Sequence, residues 1–290
     1  MPMIEPGMRI GRYRVIGAIG RGSMGGVFEV EDEAGQRFAL KSPVRDVNSG
    51  GEVTRRFARE ANVLRLLDHP NLIAALDVFV EAGQLFLVME RVDGRTLGKR
   101  LADGRLEPRQ ALVIARQLLE GVGHAHMQGL VHRDLKPENI LLVSMGEWER
   151  VKIIDFGIVK LVGDVAAAFG ANALTNTGLV VGTPAYMAPE QALGRLVDGR
   201  ADLYAIGIML YEMLTGHPPF RDPDPIVMMR LQAKVAPPSL REVMHDAAWC
   251  TPQLVALVEG ALVKEPEDRF ASAAVMTAVL DDAFASLDHV

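Results

Sequence analysis

Near residue 100 the hydrophobic pattern of this 290-residue chain changes period, and no other feature limits its fold as much. Before that point short runs alternate as strands do. Tyr13–Ile19 and Val27–Val30 flank a glycine cluster, Arg37–Lys41 alternates, and Leu85–Met89 is a short buried strand ahead of the breaker Asp93-Gly94. From Glu107 onward the apolar spacing is mainly helical. Pro108 suits the first turn of a helix running to about Gln128, Ala201–Leu214 is a second, strongly apolar helix, and Thr251-Pro252 opens a third as cap residue followed by proline. The expectation is an α+β chain with two lobes, a strand-rich one of ~95 residues and a helical one of ~195.

Charge and cysteine content narrow the classes of function. Lys+Arg 31 against Asp+Glu 37 leaves a net charge of −6, which argues against a nucleic-acid backbone or an anionic membrane as the main partner. Cys250 is the single cysteine, so there is no internal disulfide framework and no cysteine-rich zinc site, and a reducing, cytoplasmic setting is expected. The uncharged run Val165–Pro189 exceeds the ~20 residues of a bilayer-spanning helix. Its Gly170, Gly178, Gly182, Pro184 and Pro189, interspersed with Asn and Thr, are loop chemistry, so it is read as a long surface loop and no membrane segment is expected. Met1–Arg14, interrupted by Pro2, Pro6, Gly7 and Gly11, does not read as a signal peptide.

Three segments carry chemistry. Gly20-Arg21-Gly22-Ser23-Met24-Gly25 lies between two strands, not between a strand and a helix, and no Gly-Lys-Ser/Thr is present, so neither a dinucleotide fingerprint nor a P-loop fits. Strand-glycine-strand can form a flap whose backbone N–H groups approach a polyphosphate; a plain glycine-rich hairpin turn is the alternative. After Lys41, the residues Val53, Phe57, Glu60, Leu64 and Leu67 fall on one helix face. Glu60 inside that stripe needs a cation, and Lys41, closing the preceding strand, is the economical one, unless Glu60 lies at the stripe's edge and reaches water. Finally, His132-Arg133-Asp134-Leu135-Lys136-Pro137-Glu138-Asn139 precedes Asp155-Phe156-Gly157. Ile140–Val143 and Val151–Ile154, joined by Ser144–Arg150, read as an antiparallel hairpin that sets Asn139 and Asp155 side by side at its open end. An amide oxygen and a carboxylate there are hard ligands for phosphate-bound Mg²⁺, and Asp134 could reach a substrate hydroxyl as general base.

With these motifs the chain resembles the eukaryotic-like Ser/Thr protein kinases, most closely their bacterial branch, from Tyr13 to about Ala283. The resemblance implies a kinase domain over residues 13–283, with an N-lobe of about 1–92 holding one key helix and a C-lobe of about 93–290. It implies ATP and Mg²⁺ (or Mn²⁺) as cofactors and Ser/Thr-bearing proteins as substrates. Ile19, Gly20, Gly22, Gly25 and Val27 would form the flap over ATP, Ala39 and Leu141 would line the nucleotide site, and Lys41 would bind the α/β-phosphates with Glu60 as its partner. Met89 falls at the gatekeeper position, with Glu90 and Val92 at the adenine-binding hinge. Asp134 matches the catalytic base, Lys136 the γ-phosphate contact, and Asn139 and Asp155 the metal ligands. Lys136 followed by Pro137-Glu138 is the Ser/Thr form of the loop.

Further along, Gly182–Glu190 resembles the end of an activation segment, where Thr183 would help seat the substrate hydroxyl. Asp202 matches an aspartate that braces the catalytic loop, although on its own it reads as an ordinary charge at a helix N-terminus, and Glu190 should pair with Arg269. Thr175 and Thr177 match phosphorylation positions, and Arg133 is a ready cationic partner for the added phosphate; solvated polar threonines are the alternative. Gly26, standing where many relatives have a larger residue, is expected to loosen the flap. His124 and His126, two apart on a helix, share no face for a metal, and His132 is read as packing beside the catalytic loop. A homodimer through the strand-rich lobe is a further option the resemblance raises. A nucleotide-binding pseudokinase scaffold and a small-molecule phosphotransferase of the same fold are the competing readings; the complete set of motif residues argues against the first and the activation segment against the second.

Overall fold

The computed structural model describes residues 4–22, 25–43, 67–82, 84–146, 148–155, 184–245 and 247–289. Glu60 with its apolar stripe up to Leu64, Phe156-Gly157, Thr175, Thr177 and Thr183 lie outside the described residues. The described chain divides into two compact units, one ending at Asp93 and the other beginning at Gly94.

In the first unit β1 (Arg9–Ile10), β2 (Tyr13–Gly22), β3 (Gly25–Glu31), β4 (Arg37–Pro43), β5 (Ala75–Glu81) and β6 (Gln84–Glu90) form one antiparallel sheet in the order β1-β2-β3-β4-β6-β5. Because strand side chains alternate, the register sorts the residues onto two faces. Phe28 lies opposite Leu40 and Leu40 opposite Val88, and these join Tyr13, Val15, Val30, Phe38 and Phe86 in a buried cluster on one face. On the other face Val27 lies opposite Lys41, and Ala39 opposite Met89.

The glycine cluster belongs to the strands themselves. β2 and β3 continue through it, with Gly20 opposite Val27 and Gly22 opposite Gly25, and a bulge between Ala18 and Gly20 leaves Ile19 exposed. At Gly26 a Cβ would come within 2.6 Å of the Phe28 ring, so the missing side chain admits close packing of that ring.

The second unit pairs β7 (Arg95–Thr96), β8 (Ile140–Ser144) and β9 (Glu149–Ile153) in a small antiparallel sheet beside a helical body. Its helices are α1 (Leu97–Leu101), α2 (Pro108–Met127), α3 (Pro189–Ala192), α4 (Arg200–Thr215), α5 (Pro225–Lys234), α6 (Leu240–Val243), α7 (Pro252–Ala261) and α8 (Ala273–Ser286). Helix α4 is buried continuously from Ala201 to Tyr211 and packs on α2 and α7, so it is the core of the unit and not a surface helix. It stops at Gly216, whose φ of 86° is the left-handed cap that glycine takes without strain. Thr251 caps α7 by accepting from the Leu254 N–H, with Pro252 in the first turn.

Candidate active site

The loop between α2 and β8 carries the expected base, and its backbone is held from three sides. Arg133 has φ of 64°, unusual for a residue with a side chain. Its N–H donates to Asp202 Oδ1 at 2.9 Å and its carbonyl accepts from Gln191 Nε2 at 2.8 Å, so bonds on both sides of the peptide hold the strained turn. Asp202 Oδ2 also accepts from the His132 N–H at 2.9 Å and from His126 Nε2 at 2.8 Å. Burial opposes ionisation of this carboxyl. The His126 hydrogen bond and the His132 backbone N–H outweigh burial and hold its pKa below the ordinary aspartate value.

His132, fully buried, does more than fill space. Its Nδ1 accepts from the Asp134 N–H at 3.3 Å, which makes Nε2 the donor to the Ile154 carbonyl at 2.9 Å. The Ile154 N–H in turn donates to the Asn139 carbonyl at 2.9 Å, one step beyond the last strand pair Ile140–Ile153. Asp155 thus leaves the hairpin at a point fixed by both His132 and Asn139, with φ of 62°. Helix α2 pins the same hairpin, since Gln117 donates to the Glu149 carbonyl at 3.0 Å and accepts from the Val151 N–H at 2.9 Å.

Within this frame Asp134, Lys136 and Asn139 converge. Lys136 Nζ lies 3.2 Å from Asp134 Oδ2, with side chains 16% and 11% exposed, so the carboxylate is shielded yet not sealed from a substrate. Asn139 Nδ2 donates to the Asp134 carbonyl at 2.8 Å, which commits the nitrogen and turns Oδ1 into the amide's ligand atom. The donor types fit Mg²⁺: an amide oxygen from Asn139 and a carboxylate from Asp155 are both hard oxygens, and phosphate oxygens would have to complete the coordination.

In the other unit the sheet gathers the expected nucleotide residues. Lys41, 8% exposed, shares a face with Val27, Ala39 and Met89, while Gly20, Gly22 and Gly25 lie at the end of the β2–β3 hairpin. Glu90 ends β6, its N–H donating to the Ala74 carbonyl, and Val92 follows two residues later. Leu141 belongs to the second unit, where it pairs with Lys152 on β9.

Glu190 and Arg269 form the expected pair. The guanidinium grips the carboxylate through two bonds of 3.0 and 3.1 Å, and its other N–H groups reach the carbonyls of Arg200, Val263 and Lys264. Two members of this frame, His126 and Gln191, went unnoticed in the sequence. His126 packs where Gly199 leaves space, since a Cβ there would come within 2.7 Å of His126 Nδ1, a contact that spacing along the chain does not encode. Gln191 bridges the Ala188 N–H and the Arg133 carbonyl, a contact no spacing rule foretells.

The profile of the protein kinase domain matches residues 13–283. The chain belongs to the protein kinase family. Among its curated relatives, the serine/threonine-protein kinase Pkn1 of Myxococcus xanthus is 38% identical over 98% of this chain, and PrkC of Bacillus subtilis is 37% identical over 96%. This kinase chain spans 40% and 41% of the lengths of those two proteins. The crystal structure of the Mycobacterium tuberculosis PknI kinase domain superposes with a TM-score of 0.75 at 28% identity, covering 98% of this chain and 100% of that one.

Proposed function

We propose that this protein transfers the γ-phosphoryl group of ATP to serine and threonine hydroxyls of proteins. The observation that carries this reading is Asp134 held against Lys136 and Asn139 on a loop whose strained backbone is anchored by Asp202 and Gln191. Asp134 accepts the proton of the substrate hydroxyl as its oxygen attacks the γ-phosphorus, and ADP departs. Lys136, paired with Asp134, is placed to neutralise charge on the transferred group. Asn139 and Asp155 would hold Mg²⁺, which when bound neutralises the phosphates. Lys41 contacts the α/β-phosphates with Glu60 as partner, beneath the flap of Ile19, Gly20, Gly22, Gly25 and Val27. Ala39, Met89, Glu90, Val92 and Leu141 receive adenine, and Thr183 helps seat the acceptor. Phosphorylation of Thr175 and Thr177 by the enzyme itself, with Arg133 as cationic partner, would raise activity. Dimerisation through the strand-rich unit and a cytoplasmic setting belong to the same proposal.

The test is radiolabelled ATP with Mg²⁺ or Mn²⁺ and histone as acceptor. Asp134→Asn should lower turnover by ~10²–10⁴-fold, the loss of a general base. Lys41→Met should abolish autophosphorylation. Equal labelling by wild type and both variants would place the chemistry elsewhere, and nucleotide binding without labelling by wild type would favour the pseudokinase reading.

A further inference from the structure

Residues directly opposite one another in neighbouring strands share a face of the sheet, so Glu29, Ala39 and Met89 form one row on the face that also carries Val27 and Lys41. Two members of that row are apolar, and the third is an acid. Arg37, two residues before Ala39, falls on the same face by strand alternation, and Arg91 follows Met89 by two residues just past the end of β6. A carboxylate in line with the expected adenine residues is thus met by two arginines, one of them inside the segment 90–92.

Glu29 Oε1 lies 2.9 Å from Arg91 Nε and accepts from Arg37 Nη1 at 2.9 Å. Arg91 Nη1 donates to Asp93 Oδ2 at 2.7 Å. One guanidinium therefore ties β3 to both sides of Val92, since Arg91 precedes that residue and Asp93 follows it. Glu90 is anchored in another direction. Its N–H donates to the Ala74 carbonyl at 3.0 Å, and its carboxylate accepts from the Ala74 N–H at 2.9 Å. The stretch from Glu90 to Asp93 is thus held to the chain entering β5 through one side chain and to β3 through the next. Folding stability does not account for the second anchor: the Arg91 and Glu29 side chains are 32% and 18% exposed, and ion pairs open to water add little to stability. What the anchor adds is a fixed position for the backbone between its ends.

We propose that Arg91 and Glu29 are positioning residues for the adenine base: their ion pair, closed on the far side of Val92 by Asp93, sets the backbone of residues 90–92 before the nucleotide arrives. This rests on the kinase reading, which gives Glu90 and Val92 to adenine, and goes one step past it by assigning nucleotide affinity to two side chains that act through the backbone between them. Adenosine is the probe, because it lacks the phosphates that Lys41 and the metal ligands would hold. Arg91→Met keeps the aliphatic stem and removes both ion pairs; Glu29→Gln keeps the shape and removes the charge. In calorimetric titrations each should weaken adenosine binding by about 2–5-fold, the size expected for partly exposed ion pairs. The double variant should lose little more than Arg91→Met alone, as members of one network do. The KM for ATP should rise by the same factor, with kcat and the KM for histone within about twofold of wild type.

Raising NaCl from about 0.05 to about 0.5 M should close most of the gap in adenosine affinity between wild type and Arg91→Met, because pairs open to water are screened. Near-ultraviolet circular dichroism establishes that each variant is folded, and either variant carries the test alone where the other does not fold. Wild-type adenosine affinity in a folded variant overturns the proposal, even with a lowered Tm, since the cluster would then be structural only. A gap that salt leaves unchanged overturns it too, because the anchor would not be ionic. Wild type that binds no adenosine overturns the nucleotide reading itself, and the positioning role with it.

Discussion

Asp202 shows how a buried carboxylate can be structural without joining the chemistry. It is 1% exposed in a mostly apolar helix and accepts hydrogen bonds from His126, His132 and Arg133. An isolated charge there would be costly, and three donors offset that cost. Asp202→Asn turns one acceptor oxygen into an NH₂ group facing an N–H donor. It should destabilise the fold by ~1–3 kcal/mol, the cost of a buried unpaired group, and lower kcat by releasing the Arg133 turn. Urea melts read beside turnover check this; wild-type values for both would remove Asp202 from the frame. The sequence made Asp134, Lys136, Asn139 and Asp155 legible because a contiguous motif and an apolar hairpin bring them together by local geometry. Asp202 stood out only through family resemblance, since an aspartate near a helix start is ordinarily a dipole charge. His126 stayed hidden because its partner lies 76 residues away and no local spacing encodes the contact.

Elements differ in the same way. Helices α2, α4 and α7 and the β8–β9 hairpin are legible from caps and apolar spacing. Strand β5 is not: Leu76 and Val80 are apolar yet 41% and 42% exposed on an edge strand, so the alternation that marks a half-buried strand is missing. Within the β2–β3 hairpin, Gly26→Val should destabilise the protein by ~1–3 kcal/mol through overpacking against Phe28, where a looser hairpin would have tolerated it. A thermal melt decides between the two, and an unchanged Tm would support the looser hairpin. Elsewhere the Glu190–Arg269 pair joins α3 to the turn before α8, with side chains 2% and 0% exposed. Arg269→Met leaves the Glu190 carboxylate buried without its cation and should cost ~3–5 kcal/mol in a urea melt, whereas removing both charges together should cost less.

At the scale of the molecule, two units follow from the change of hydrophobic period, because strand and helix periods bury different faces and each unit closes its own core. The response of the whole fold to pH depends on groups the period says nothing about. Lys264 sits against Tyr204 and Phe220, and burial, followed by the charge of Arg269, lowers its pKa from 10.5 to about 8. Below about pH 8 the lysine is protonated whether the chain is folded or not. Between about 8 and 10.5 the unfolded chain keeps a proton that the folded one has released, so stability rises with pH across that window and the contribution is lost as pH falls through about 8. Tyr204 and Tyr186 act in the opposite sense: burial pushes both phenols above their ordinary 10, so the folded chain keeps protons that the unfolded chain sheds, and stability falls as pH rises beyond 10. Lys264→Met removes the first effect and leaves the second. The Tm of wild type minus that of Lys264→Met should therefore increase between pH 7 and about 9.5, before the tyrosines act on both proteins alike. A difference that stays flat across this range would mean that Lys264 ionises in the folded protein as it does in water.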